Sequence, residues 1–304
     1  MKRIVAFVVA LVLLSCSSNS DEIKHQQSLN ADTVDSGYIN ISVDVSFKEV
    51  IDEHLKVFTA IHPKAKINIH YKSEVDCFKD LMKDSTRLII VARGLTKQES
   101  DYYYNSLSFK PYYSKVAYDA VAAIVNINNN DTLFAFDEIK NILSGKKNYT
   151  VILDGTNATS TVKFLQDSVL AGGKFGANVV AVNGVHSVIE SIKKTPNAIG
   201  FISNAYVSNQ YDAKQIENFK LIKLALLECV KCDEKGYYAK ASQATLQYGQ
   251  YPLARPIYYI AKENWEGLGT GFGKFLSSEP GQLIFRRSCL VPAKMNFNQR
   301  QTKL

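Results

Sequence analysis

The chain predicts an α/β fold, and three observations carry the prediction. Apolar stretches of period two, or short unbroken apolar runs, alternate with stretches of helical period from residue 39 to residue 203. Small hydroxyl residues stand where strand-like runs give way to helix-like ones, at Ser46, Thr96 and Thr159. Hydrophobic residues make up 46% of the chain and charged residues 21%, which is enough apolar surface for folded cores and too little charge for a disordered chain.

Ile39, Ile41 and Val43 alternate with polar neighbours as a first strand. Directly after it Phe47, Val50, Ile51, Leu55, Phe58 and Ile61 repeat at helical spacing. Residues 66–71 form a second strand and residues 75–83 a short helix. Residues 88–92 are an unbroken apolar strand of the buried kind, running into a helix at Thr96. This is the opening of a parallel sheet. After Pro111 a long apolar strand covers residues 116–126, followed by a helix over 137–143 that Gly145 closes. Strand 151–153, helix 162–170, strand 178–182, helix 187–194 and strand 198–203 continue the alternation. The glycine-rich run 267–273 lacks the Gly-Lys-Ser/Thr ending and the βαβ setting of a phosphate-cradling loop, and reads as a flexible approach to a last helix at 272–276. No repeat of solenoid period is visible.

The first residues carry an address. Lys2 and Arg3 precede an apolar stretch, residues 4–14, too short to span a bilayer and shaped like the core of a secretory leader. It ends in Leu13-Leu14-Ser15-Cys16, which resembles a bacterial lipoprotein cleavage box. Residues 1–15 are therefore expected to be removed and Cys16 to carry lipid. Residues 16–36 are polar and read as a tether, so the folded part begins near Gly37. About 265 residues then remain, comfortable for two lobes of typical size.

Formal charge is +7, or +5 once Lys2 and Arg3 leave with the leader, and the lysines are scattered. No Lys/Arg block with interleaved aromatics occurs, which argues against a nucleic-acid partner. Beyond Cys16 the cysteines are Cys77, Cys229, Cys232 and Cys289. Cys229-Val230-Lys231-Cys232 lacks the second pair of a zinc site and follows an apolar run rather than opening a helix; a local disulfide and two packed thiols both stay open for it. The five histidines show no metal-ligand spacing. No cofactor is expected, and no nucleophile with base and orienting group can be assembled from spacing, so the chain reads as a binding protein and not an enzyme.

Three turns invite an anion. Ser46-Phe47, Arg93-Gly94-Leu95-Thr96 and Thr159-Ser160-Thr161 place hydroxyls or a guanidinium where a strand ends and a helix begins, so that backbone N–H groups and the helix dipole also point there. Each has a local alternative. Ser46 with Glu49 forms a capping-box pattern, Thr159 can simply cap its helix, and Arg93 can make a surface or interlobe salt bridge with Asp154.

Five segments carry a family resemblance. Residues 118–126 (Tyr-Asp-Ala-Val-Ala-Ala-Ile-Val-Asn) resemble the hinge-crossing strand of type 2 periplasmic binding proteins related to the phosphate-binding component of ABC importers. Phe136-Asp137-Glu138-Ile139 through Leu143-Ser144-Gly145-Lys146 resembles that family's helix and its Ser-Gly-Lys turn. Asn197-Ala198-Ile199-Gly200-Phe201-Ile202 resembles its Gly-Ala-Ile-Gly-Tyr return strand, and Tyr251-Pro252-Leu253-Ala254-Arg255-Pro256 its Tyr-Pro-Leu-Ser-Arg-Pro run. Glu279-Pro280-Gly281-Gln282 with Leu290-Val291-Pro292 resembles its closing helix and Val-Pro.

The resemblance implies two α/β lobes, each a mixed sheet flanked by helices, joined by two crossing strands and closing on a ligand. Lobe one would be residues 37–115 plus 205–304, and lobe two residues 116–204. It implies phosphate contacts at Ser46 and Phe47 and at Thr159, Ser160 and Thr161. The family's lobe-two arginine is absent, and the nearest position carries Asp154. Arg93 stands where a lobe-one aspartate is expected, and Ser73-Glu74-Val75-Asp76 replaces a glycine-rich serine turn. An exchange follows as an expectation: Arg93 supplies the cation, and Asp154 accepts the proton of monohydrogen phosphate and repels sulfate. The implied role is a monomeric, lipid-anchored, periplasm-facing protein of the cell envelope that delivers phosphate or a related oxyanion to the membrane subunits of an ABC importer. The alternative is an envelope lipoprotein, sensor or scaffold, that reuses the fold without transport. Ser17 in place of an aspartate leaves inner or outer membrane open.

Overall fold

The computed structural model describes residues 32–155 and 159–294. The leader, Cys16 and most of the expected tether lie outside the described residues. The first half of the chain is built from β1 (Gly37–Asp44), α1 (Lys48–Ile61), β2 (Ala65–Lys72), α2 (Glu74–Leu81), β3 (Thr86–Val91), α3 (Lys97–Leu107) and β4 (Tyr112–Asn126). Then come β5 (Leu133–Phe134), α4 (Phe136–Leu143), β6 (Thr150–Asp154), α5 (Ser160–Phe164), β7 (Val179–Val182), α6 (Val185–Lys194) and β8 (Ala198–Ser203). The remainder is α7 (Ala213–Asn218), β9 (Ile222–Leu224), β10 (Leu226–Glu228), β11 (Tyr238–Ala239), α8 (Gln243–Gln247), β12 (Ala254–Ala261), α9 (Leu268–Ser277), α10 (Glu279–Arg287) and β13 (Val291–Pro292). The alternation expected from the sequence is present; the helix expected over 162–170 starts at Ser160 and passes into a π turn, Leu165–Val169.

The strands follow the order β2-β1-β3-β12-β4-β8-β6-β7, with β9 and β13 also on β4. β1 pairs parallel with β2 and β3, as the opening elements predict, while β12 and β8 run antiparallel to β4. The long β4 organises both halves. Its first part pairs with β12, and Val121 to Val125 pair with β8. Helices cover both faces of β3, so its side chains split by period two into two cores: Leu88 and Ile90 join Phe47, Phe58, Phe272 and Phe285, whereas Ile89 and Val91 join Cys77, Leu81 and Tyr103. Each such fully buried apolar side chain stabilises by about 1.5–3 kcal/mol.

A separate core gathers Val121, Ile124, Ile152, Leu165, Val188, Ile199 and Phe201. It also takes Ile222, Leu227, Leu246 and Leu253, residues that the division at 204 and 205 places with the first half. The reason is β9, which pairs with the far end of β4 and carries the following segment with it. Beyond β10 the chain turns through a disulfide between Cys229 and Cys232, while Cys77 and Cys289 are free. Among the described residues no helix is long and apolar enough to cross a membrane.

One polar pair lies between the two large cores. Asp119 of β4 and Arg255 of β12 are register partners, both fully buried. Arg255 donates from Nε and Nη2 to Asp119 Oδ2 at 3.0 and 2.8 Å, and Ser203 Oγ and the Asn204 N–H donate to Asp119 Oδ1 at 3.1 Å. Burial raises the Asp119 carboxyl against the guanidinium that holds it charged. Removing one member strands the other charge in a dry site. Arg255→Met is expected to cost about 3–5 kcal/mol, and adding Asp119→Leu should recover part of the loss, since the ionic mismatch goes although Ser203 and Asn204 lose an acceptor. Denaturant midpoints of the three proteins check this; a single variant as stable as the parent would remove Arg255 from its place in the argument.

Candidate functional site

The 3-10 turn that follows β1 meets the start of α5, the helix after β6. On the first side Val45–Phe47 form a 3-10 turn before α1. On the other, α5 begins at Ser160 with Thr159 as its N-cap, the Thr159 hydroxyl accepting from the Val162 N–H at 3.3 Å. Ser46, Thr159, Ser160 and Thr161 are all buried there, along with Asp44 and Asp154.

The hydroxyls are ordered by Arg255. Its Nη1 donates to Ser160 Oγ at 3.0 Å and to Thr161 Oγ1 at 3.2 Å. Thr161 Oγ1 and Ser46 Oγ are 3.2 Å apart, and Ser46 Oγ lies 3.4 Å from Asp154 Oδ2, to which it donates. Thr159 Oγ1 donates to Asp154 Oδ1 at 3.1 Å. The guanidinium also faces the Phe47 ring, 4.9 Å from its centroid, which fixes its plane without using a donor.

Of the expected site residues, Ser46, Phe47, Asp154, Thr159, Ser160 and Thr161 are brought together. Arg93 is not. It makes a two-pronged pair with Glu99 at 2.8 Å for both contacts, lies over the Phe78 ring at 3.7 Å, and is half exposed. In the structure Arg93 pairs with Glu99, six residues along the chain, and the cation that reaches the hydroxyls is Arg255. The open question at Ser46 is also answered. α1 has Phe47 at its N-cap and no side-chain cap, so the Ser46 hydroxyl is spent on Asp154 and Thr161. The capping box forms instead at Thr96 and Glu99.

Three participants were not selected from the sequence as site residues. Arg255 belonged to a motif used only for resemblance, and its interior position is what marks it. Asp44 ends β1 and accepts from the Ser46 N–H at 2.9 Å, the Ser160 N–H at 2.9 Å and Ser160 Oγ at 2.8 Å. Glu74, at the start of α2, is buried and accepts from the Ala92 N–H at 2.7 Å. Burial, with the charge of Asp44 adding to it, pushes Asp154 and Glu74 up to about 7 in each case. Asp76, in the same turn as Glu74, faces outward to Lys79.

The arrangement brings together N–H and O–H donors from the two sides, one guanidinium, and the carboxyl groups that accept from them. It holds no cation cage: among the described residues no three or more His, Cys, Asp or Glu side chains group as metal ligands. The glycine-rich run 267–273, expected as a flexible approach to a helix at 272–276, is itself the N-cap and first part of α9, and it is not an anion site either. Its N–H groups are taken internally, Leu268 by Asp32 at 2.9 Å, and Gly269 and Thr270 by Glu263 at 3.1 and 2.7 Å, and a Cβ on Gly271 would lie 1.8 Å from the Val34 carbonyl oxygen. His54 is buried and driven down to about 4 by desolvation, so it is a neutral core residue.

Comparison with known proteins agrees with this architecture. The phosphate-binding protein PstS 2 of Streptococcus pneumoniae is 25% identical over 174 residues, covering 57% of this chain and 46% of the relative, so the chain spans about half the length of that protein. PstS of Pseudomonas aeruginosa is 21% identical over 272 residues, covering 81% and 80% of the two chains. A crystal structure from Clostridium perfringens, described as a phosphate ABC transporter substrate-binding protein with bound phosphate, superposes with a TM-score of 0.69 at 22% identity, covering 85% of this chain and all of the other. The likeness to that structure is one of fold, the mixed α/β fold of type 2 periplasmic binding proteins. A family model for the PBP superfamily domain matches residues 30–280, and the chain belongs to that superfamily.

Proposed function

We propose that the chain is an extracytoplasmic solute-binding protein that takes phosphate, or a related oxyanion, between its two halves for an ABC importer, and that Cys16 anchors it by lipid to the cell envelope. One observation carries the reading: the meeting turns already hold an anion, the Asp44 carboxylate, by two backbone N–H groups and a hydroxyl. The names of the relatives at 25% and 21% identity supply the substrate class. The ligand set in this reading is Ser46, Thr159, Ser160, Thr161 and Arg255 as donors, with Phe47 packing and the Asp154 carboxyl, which carries its own proton up to about 7, beside the anion. Arg93, engaged by Glu99, lies outside it.

Calorimetric titration of phosphate and then sulfate into the purified chain, stripped of anion by partial unfolding, tests the proposal. Micromolar phosphate binding is expected, corresponding to about 8 kcal/mol, with little response to sulfate. Heat from neither anion at millimolar concentration would overturn it. Thr161→Ala should weaken phosphate about tenfold by removing a hydrogen bond worth about 1–1.5 kcal/mol, whereas Arg93→Ala should stay within twofold.

The carboxyl groups set a pH dependence. Asp154 on β6 and Glu74 on α2 keep their protons up to about 7 in the folded protein. Asp44 on β1 and Arg255 on β12 are the other charges acting on both, and Arg93 beyond β3 acts on Glu74. Raising the pH from 5.5 to 8.5 adds negative charge to a site that must take an anion, so phosphate affinity should fall, and Asp154→Asn should flatten the fall. Stability follows the same sign: the contribution from holding these protons is complete below the unfolded value near 4, and is lost as pH rises through about 7. The thermal midpoint in anion-free buffer should therefore drop between pH 5 and 8, less so in Asp154→Asn.

A further inference from the structure

Asp44 does more than end a strand. Its bond from the Ser46 N–H is local, an ordinary turn cap two residues long. The bonds from the Ser160 N–H and Ser160 Oγ are not: they come from 116 residues away, on the opposite side of the cleft. The carboxylate is fully buried, and the hydrogen bonds that reach its oxygens come from neutral donors on both sides of the closure. Arg255 is one hydroxyl removed, on the other side of Ser160.

The same three donors are the ones an oxyanion between these turns would need. A donor committed to Asp44 is not open to a ligand, and Asp44 beside a bound dianion would be a like charge at short range in a poorly hydrated site. Occupation by Asp44 and by ligand are therefore alternatives. A carboxylate supplied by the chain itself is present at the high effective concentration of an intramolecular group, and a ligand's apparent affinity falls by the fraction of molecules in which the site is open to it.

We propose that Asp44 is a resident competitor for the cleft: it closes the two halves on each other without ligand, and it decides which anions enter by making them displace a carboxylate. The consequence for phosphate rests on the function proposed above; the self-closure does not. Displacement lowers the affinity of every anion by the same factor, but a fully ionised anion also meets the displaced carboxylate as a like charge at short range, so Asp44 acts as a specificity-determining residue set in the first turn.

The experiment pairs small-angle X-ray scattering with calorimetry on the wild-type chain, Asp44→Ser and the near-isosteric Asp44→Asn, all anion-free and checked for folding by circular dichroism. The wild type should be compact before any anion is added. The variants should be more expanded, should recompact on addition of inorganic phosphate, and should bind it at least tenfold more tightly than the wild type. A wild type already expanded without anion overturns the proposal, and that result needs no variant. Variants as compact as the wild type without anion overturn it as well. Variants that open but respond to neither phosphate nor sulfate leave the self-closure supported and overturn the phosphate reading instead.

Discussion

The buried pair of Arg255 and Asp119 is the constraint on which the site depends. It joins adjacent strands between the two large cores, at the place where β4 leaves one and enters the other. Two guanidinium donors are taken by Asp119, and the remaining nitrogen can only point at Ser160 and Thr161. A planar, permanently charged group held in this way is a preorganised donor, since its orientation is set by the hinge strands before anything binds. Asp119 in turn is held by Ser203 and Asn204, where the chain leaves β8. β4, β12 and the hydroxyl-bearing turns are thus parts of one hydrogen-bonded assembly.

The balance of charge in the cleft is unusual for a protein taken to hold an anion. Asp44, Asp154 and Glu74 surround the turns, and the cation that reaches them is already matched by Asp119. Proton uptake relieves part of the excess, because burial and mutual repulsion push Asp154 and Glu74 to about 7. Asp44 relieves more of it by taking the donors for itself. The hydrogen bonds of the donors in these turns are thus taken up by carboxyl groups of the chain itself. Affinity in such a site is a difference between two occupied states and not the energy of one set of contacts.

Much of the fold was legible. Period-two and period-3.6 patterns placed β1 to β4 and β6 to β8 with boundaries shifted by a few residues, because those elements bury one face or both against a core that demands the pattern. The three-stranded sheet of β5, β10 and β11 was not read, since two- and three-residue strands carry no period. The assignment of residues 222–253 to the second large core also escaped, because pairing of β9 with the end of β4 is a contact between segments about a hundred residues apart. In the site, the hydroxyl turns Ser46 and Thr159 to Thr161 were visible from their place between strand and helix. Arg93 and Arg255 were not distinguishable by type, and only the fold shows that Arg255 is the one whose guanidinium reaches the hydroxyls.

Local chemistry was therefore determined by the sequence alone: which stretches are strands and helices, where they are punctuated, and which turns present hydroxyls. Those properties depend on neighbours within a few residues, and such neighbours are written side by side in the chain. Tertiary structure decided which arginine serves the hydroxyls, which carboxylates face one another, and that Asp44 reaches donors 116 residues away. The physical reason is that charge pairing and desolvation act through space at a few ångströms, and one fold brought Asp44, Asp119, Asp154, Ser160 and Arg255 within that range of each other from four strands and a turn.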